Sequence, residues 1–309
     1  MEWHTTVLAD ADILQKCALA NNFFENNYST INSILYEQKY SSQISVCDGW
    51  IYEKYLAGGK IYFGFPHNIE GDNSEIKNAL ENILEDARTS NCECVFGNIT
   101  PDEKEILCKL YASPKIEAAP ELGDYIYLSE NLANLPGKKF SKKRNHIHQF
   151  VKKYPEYRFE ILGLDTLESA MQVEEKWFIE SSERVEQKDF SEDLQIERAI
   201  IKNALDNFEY FSRVCGMSGG IVFVQDFPVA FCLSSRLSPD VTDIHFEKCL
   251  SAFAKDGGYA VINNEFAKTI STKYINREED LGVEGLRKAK LSYYPEKILD
   301  KYNVGLVTI

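Results

Sequence analysis

The sequence has no run of 18 apolar residues, so nothing in it reads as a membrane-spanning helix. Its opening "MEWHTTVLADADIL" lacks the basic start, apolar core and cleavage site of a secretory signal. A cytoplasmic protein is expected, with membrane contact peripheral at most. Proline and glycine are scarce and there is no long polar tract, which leaves no segment that cannot offset its chain entropy by burial. The eight cysteines are scattered, and the one close pair, Cys92 and Cys94, is separated by a single residue. That spacing suits neither zinc nor a redox pair, so buried free thiols are expected. His146 and His148 lie two apart in a helical stretch, point to different faces and cannot grip a metal together. No structural metal is expected. Positive charge is also short: 34 Lys and Arg face 48 Asp and Glu, for a net charge of -14. Indiscriminate binding to nucleic acid is disfavoured, and any polyanion must be met by a local basic patch.

What is present is 44% hydrophobic residues over 309 positions, enough for two domains of roughly 100 to 200 residues each. Residues 8 to 38 read as helices broken at Asn-rich turns. "ISVCDGWIYEKYLAGGKIYFGFP" alternates as strands do, with turns at Asp48-Gly49 and Gly58-Gly59. "NSEIKNALENILEDARTS" is an amphipathic helix with Ile76, Leu80, Ile83, Leu84 and Ala87 as its stripe and Ser74 or Asn73 as its cap. "CECVFGNIT" is a strand, and Thr100 and Pro101 open the helix "PDEKEILCKLY". After a link near "SENLANLPGKK" the order recurs: a hairpin in "GGIVFVQDFPVAFCLSSRL" turning at Asp226 to Pro228, the strand "TDIHFEKCLS", the bend "KDGGYA", the helix "AVINNEFAKTI", the strand "TKYINRE" and the helix "GVEGLRKAKLSYY". Two domains of one α/β (α+β) class, 1–133 and 134–309, each a mixed sheet flanked by helices, are predicted.

Three segments carry candidate chemistry. In "GKKFSKKRNHIHQFVKKYPEYR", winding at 100° per residue puts Phe140, Ile147, Phe150, Val151 and Tyr154 on one stripe and Lys138, Lys142, Lys152 and Lys153 opposite. The last four read as solvated. Lys143 and Arg144 fall at the edges of the apolar stripe, where a charge calls for a partner, and with Asn145 they are candidates to hold an anion. In "TDIHFEKC", period-two alternation sends Asp243, His245 and Glu247 to one sheet face, where His245 or Glu247 could serve as general base. A wet face with no chemistry is the competing reading. The bend Lys255-Asp256-Gly257-Gly258 precedes a helix and could turn backbone amides toward a phosphate, although such a bend is more often a plain turn. In the last helix Val283, Leu286, Tyr293 and Tyr294 form the apolar stripe, Lys290 falls in it, Arg287 at its edge, and Asp280 is placed to cap. A mutual ion-pair cluster is the structural alternative for these charges.

"GKKFSKKRNHIHQF", "HFEKC", "INNEF" and "YINREEDLGVEGLRKAKLSYYP" resemble motifs of the C-terminal domain of phosphatidylglycerol lysyltransferases, in a soluble bacterial branch. The resemblance spans nearly the whole chain and is strongest from residue 137. It implies two tandem N-acyltransferase folds of the acetyltransferase (GNAT) kind, the first degenerate and the second carrying the active site. Lys255 to Ala260 is similar to the superfamily's pyrophosphate loop, with Lys in place of the usual Arg or Gln, and the first half has no counterpart of it. The family's membrane enzymes move lysine from lysyl-tRNA to a lipid. The resemblance therefore implies acyl or aminoacyl transfer to an amine or hydroxyl, with His245 or Glu247 as base. Lys143, Arg144, Asn145, Asn263, Arg277, Arg287, Lys290 and Tyr293 would hold donor or substrate, and Lys255, Gly257 and Gly258 a coenzyme A phosphate. No tightly bound cofactor is expected. An aminoacyl-tRNA donor, with its acceptor stem on the basic helix 138–153, leads; acyl-CoA is the second donor. A noncatalytic module for nucleotide, tRNA or anionic lipid is the alternative from another class.

Overall fold

The structure, a computed structural model, describes residues 1–183 and 188–306, with side chains 188–191 left out. The strands are β1 (His4–Thr5), β2 (Gln43–Cys47), β3 (Trp50–Ala57), β4 (Lys60–Phe63), β5 (His67–Asn68), β6 (Cys94–Ile99), β7 (Lys115–Ala118), β8 (Asp124–Leu128), β9 (Tyr157–Ile161), β10 (Ser218–Val224), β11 (Phe227–Arg236), β12 (Val241–Cys249), β13 (Tyr274–Asn276), β14 (Lys297–Leu299) and β15 (Tyr302–Leu306). The helices are α1 (Ala11–Asn21), α2 (Thr30–Leu35), α3 (Glu37–Tyr40), α4 (Ile76–Thr89), α5 (Pro101–Leu110), α6 (Ser129–Asn134), α7 (Ser141–Lys153), α8 (Leu167–Ser182), α9 (Lys188–Asp206), α10 (Phe208–Cys215), α11 (Ser251–Ala254), α12 (Gly258–Ala267) and α13 (Glu284–Leu291).

Two compact units divide the chain: Met1–Ile126 with Leu237–Pro239 and Glu278–Ile309, and Tyr127–Arg236 with Asp240–Arg277. The expected division at 133/134 lies close to the first crossing, but the C-terminal segment does not stay with the second unit. It returns to the first because β15 lies between β6 and β7, antiparallel to both, and completes that sheet.

In the first unit the strand order is β1-β2-β3-β4-β6-β15-β7, with β5 on β3. Asp48 and Gly49, and then Gly58 and Gly59, all have positive φ, which is what two-residue turns need to match the strand twist. Trp50 and Tyr52 of β3, Phe63, Phe96 and Val304 pack against Leu80, Ile83, Leu84 and Ala87, the predicted stripe of α4. The cap differs: Glu75 precedes α4 and accepts from Asn78 Nδ2 (2.5 Å) without capping a backbone N–H, and Asp72 accepts the Ser74 N–H (3.0 Å). Thr100 does cap α5, accepting the Glu103 N–H (3.2 Å) while Glu103 accepts its own (2.7 Å). β14 pairs with residues 124–126.

In the second unit the order is β13-β12-β11-β10-β9, with β12 and β13 parallel. The β10–β11 turn uses Gln225 and Asp226, both at positive φ, one residue earlier than expected. The register of β12 shifts: Leu233 faces Phe246 and Ser234 faces Ile244, which leaves His245 as the extra residue of a bulge. Helix α12 lies on β10, β11 and β12 and against α6 and α7. Asn264 fixes it there by donating to the carbonyls of Leu132 (2.7 Å) and Ala133 (2.8 Å), a helix end otherwise left with unmet acceptors.

A buried pair ties the ends of the first unit's chain together. Lys301, 3% exposed, donates to Asn26 Oδ1 (2.5 Å) and Asp124 Oδ1 (3.2 Å), while Asp124, fully buried, also accepts the Asn26 N–H (2.8 Å). Burial works against the Lys301 charge, but the carboxylates of Asp124 and Glu279 outweigh it and raise its pKa above the ordinary value. Burial lifts the Asp124 carboxyl to about 7 even against the pull of Lys301, so removing the ammonium would leave that acid buried without its countercharge. Lys301→Met should therefore cost ~3–5 kcal/mol in urea unfolding at neutral pH, and the double variant Lys301→Met with Asp124→Leu should recover most of the loss.

Candidate active site

The polar centre of the second unit forms where β12, β13, α7 and α12 meet. Glu247 on β12 accepts from Arg277, which follows β13, through Nε (3.1 Å) and a terminal nitrogen, and its other oxygen accepts from Asn263 Nδ2 of α12 (3.1 Å). Two-point pairing fixes the guanidinium plane. Arg277 also lies 5.7 Å from the centre of the Tyr127 ring, a cation–π distance. Asn263 is 1% exposed, and its Oδ1 has no hydrogen-bond partner among the described residues. An orphaned acceptor of this kind marks a place where a ligand donor would gain a full hydrogen bond.

Lys143 of α7 is half-buried beside this pair. Burial and repulsion from Arg277 push its pKa down to about 8, against the opposing pull of Glu247. A lysine in that range carries a useful neutral fraction near neutral pH and can accept a proton. The sequence reading had Lys143 bind an anion; its lowered pKa is compatible with a second role.

Other expected residues divide differently. His245 is buried, with Nε2 at 2.8 Å from Ser235 Oγ and Nδ1 at 3.7 Å from Asp243, so its bulge position sets it among its own strand neighbours. Arg144 is exposed and donates to the carbonyls of Leu135 and Gly137 (2.7 Å for the latter), closing the loop before α7; Asn145 is exposed. Lys138, Lys142 and Lys152 are exposed as predicted, and Lys153 pairs with Asp256 (2.6 Å). The bend before α12 has a packing explanation. A Cβ on Gly257, where φ is +106°, would stand 2.5 Å from the His146 carbonyl, and one on Gly258 would stand 2.5 Å from Cys249 Sγ. Both glycines let α12 approach α7 and β12 closely, while Lys255 is exposed.

A family model described as phosphatidylglycerol lysyltransferase, C-terminal, matches residues 22–305. The chain belongs to that family. It is similar to a conserved protein from Bacteroides thetaiotaomicron (32% identity, TM-score 0.89, 99% of this chain and 100% of that one). It also shares its fold with L-PGS from Bacillus licheniformis (14% identity, TM-score 0.59, 90% and 86% of the two chains). An uncharacterised protein of Mycoplasmoides gallisepticum is 22% identical over 184 residues, 60% of this chain. The match spans 56% of that curated relative's length. Among the described residues no helix is long and apolar enough to cross a membrane.

The family's last motif, residues 274 to 295, divides at Arg277, and the acids and bases beyond it find partners in the first unit. Asp280, 1% exposed, is not the cap of α13, which Val283 precedes. It accepts from Arg287 Nε (2.8 Å) and its terminal nitrogen (2.9 Å), from the Tyr125 hydroxyl (2.6 Å) and from the Gly282 N–H (2.8 Å). Lys290 donates to the Glu279 carbonyl. The predicted inward stripe of α13 is also corrected: Tyr293 is buried, but Val283, Leu286 and Tyr294 are exposed, because the helix is anchored by Arg287 and Lys290 instead.

Two outcomes follow from these charges. Glu247 is what holds the Lys143 pKa up, so Glu247→Gln should drop it further below about 8, read from the pH dependence of Lys143 acylation by mass spectrometry. The Arg287 hydrogen bonds, outweighing burial, hold the Asp280 carboxyl down at about 2, below its unfolded value near ~3.9. Its contribution to stability is complete above the unfolded value and is lost as pH falls toward 2. Arg287→Met should therefore move the acid-unfolding midpoint, followed by circular dichroism, to higher pH.

Proposed function

We propose that the protein is an acyltransferase of the aminoacyl-transferring kind, passing an activated acyl group to an amine or hydroxyl, with aminoacyl-tRNA as donor. One observation supports the reading: Lys143, its pKa lowered to about 8 by burial and Arg277, stands beside the Glu247–Arg277 ion pair and the buried acceptor oxygen of Asn263 in the second unit. Membership of the lysyltransferase family supports the reaction class. The tandem GNAT-like architecture and the assignment of the active site to the second half belong to the same proposal.

In this reading neutral Lys143 takes the proton from the attacking amine or hydroxyl as that atom bonds to the donor's ester carbonyl carbon. Arg277 stabilises the oxyanion that develops there, and Glu247 holds the guanidinium in place. Asn263 Oδ1 accepts a hydrogen from the aminoacyl nitrogen. Collapse of the intermediate breaks the bond to the donor hydroxyl oxygen, which receives the proton from Lys143. The proton role falls to Lys143 and not His245, whose ring is already engaged with Ser235. The exposed lysines of residues 138 to 152 would track the backbone of the acceptor stem, the local basic patch that a chain of net charge -14 needs.

The test measures release of the aminoacyl group from charged tRNA, with filter binding in parallel across a salt series. Lys143→Met should lower turnover by ~10²- to 10⁴-fold, the usual worth of a general base, with tRNA binding retained. Lys138→Glu with Lys142→Glu should weaken binding and flatten its salt slope. Binding that ignores salt defeats the tRNA version, turnover of a coenzyme A thioester instead assigns the other donor, and binding without any turnover makes the protein a binding module.

A further inference from the structure

The first unit, which the sequence reading left without chemistry, contains a cavity of about 340 Å³. Glu53 of β3 lines it, together with Tyr36, Tyr40, Tyr55 and Tyr62. Alternation along β3 accounts for the placement: Trp50 and Tyr52 enter the core, so Glu53 and Tyr55 alternate with them. The rings form a continuous wall. Tyr55 and Tyr62 stack at 5.6 Å, Tyr40 meets Tyr55 edge-on at 6.3 Å, and Tyr36 stacks on Tyr40 at 6.2 Å.

Two glycines make room for this wall. A Cβ on Gly97 of β6 would lie 2.2 Å from the Tyr55 hydroxyl and 2.9 Å from the Tyr62 ring; one on Gly64, just after β4, would lie 3.2 Å from the Glu53 Cβ. The tyrosines and the acid therefore stand where neighbouring strands supply no side chain.

Charge around the cavity is unbalanced. Glu53 accepts a long hydrogen bond from Ser33 Oγ (3.4 Å), and no basic side chain pairs with it among the described residues. The adjacent Lys54 does not compensate, since its ammonium sits over the Trp3 ring at 4.2 Å. Glu278 and Glu279 also line the space, tethered by Asn32 (2.9 Å) and Asn26 (2.5 Å). Lys301 is the cavity's other cation, and Asp124 already meets its charge. Burial accordingly lifts the Glu53 carboxyl to about 7, as for an acid whose countercharge is missing.

We infer that this cavity binds a small organic cation, a compound with an ammonium head that pairs with Glu53 inside the wall of tyrosine rings. A carboxylate shielded from water is strongly stabilised by a matching positive charge, and aromatic faces add cation–π attraction that a neutral ligand does not receive. The volume is at the small end for ligand pockets and suits an amine or amino-acid derivative, not a nucleotide. The site goes beyond the transfer reaction proposed for the second unit and does not depend on it.

Isothermal titration of the full chain with cadaverine, tetramethylammonium and L-lysine methyl ester, and with 1,5-pentanediol as the neutral match for cadaverine, tests the assignment. Saturable binding is expected for at least one cation, none is expected for the diol, and Glu53→Gln should weaken the cation at least tenfold. Tyr62→Leu should also weaken it. If Glu53→Gln fails to fold, judged by its thermal melt, the comparison of cadaverine with the diol in the native chain and the Tyr62→Leu result still decide. The inference is overturned if no cation binds at millimolar concentration, if the diol binds as well as cadaverine, or if a folded Glu53→Gln keeps full affinity.

Discussion

A carboxylate withdrawn from water is held ionised by a positive partner or several donors, and three such groups position much of this structure. Asp124 has Lys301 and the Asn26 amide, Asp280 has Arg287 with Tyr125 and the Gly282 amide, and Glu247 has Arg277 with Asn263. The first two lie in the first unit, where Lys301 with Asp124 and Tyr125 with Asp280 join residues distant in sequence and fix where residues 278–306 return. The third lies in the second unit, at the end of β13. Breaking a buried pair by removing one partner costs far more than the pair contributes against an apolar replacement. These charges thus specify position more than they add stability.

The same constraint separates structural from reactive groups. Where donors saturate the acid, as at Asp280, its pKa falls to about 2 and it has no proton to exchange near neutrality. Where burial dominates, the pKa moves toward neutrality: Lys143, pushed also by Arg277, to about 8, and Glu53 to about 7. The family's long last motif contains both kinds. Arg277 faces the second unit's polar centre, whereas Asp280, Arg287 and Lys290 bind one another's neighbourhood in the first.

Much of the fold was legible in the sequence. Period two in residues 43 to 63, the glycine turns, the stripe of α4 and the Thr100 capping box all express local rules, and local rules suffice for them. The inward tendency of Lys143 could also be read from helical winding. What escaped were long-range facts. β15 is a short terminal strand whose place between β6 and β7 is set by partners some 200 residues away. A one-residue bulge at His245 shifts the register of β12 against β11, which no local periodicity announces. The apolar stripe expected around Arg287 and Lys290 is largely exposed, and their partners, Asp280 and the Glu279 carbonyl, are nearly adjacent in sequence and gave no sign of folding back. Glu53 did carry a signal, an acid between Tyr52 and Tyr55 in a strand otherwise fit for burial, and only the surrounding tyrosines from other elements reveal its use.

The central claim is that transfer chemistry belongs to Lys143, Glu247, Arg277 and Asn263. The most direct measurement is a crystal structure of the protein with a stable aminoacyl-adenosine amide, which keeps the donor's carbonyl but cannot transfer it. The account predicts the amide carbonyl beside Arg277 and Lys143, with the aminoacyl nitrogen donating to Asn263 Oδ1. An analogue bound elsewhere, with those four side chains unchanged and untouched, would contradict it.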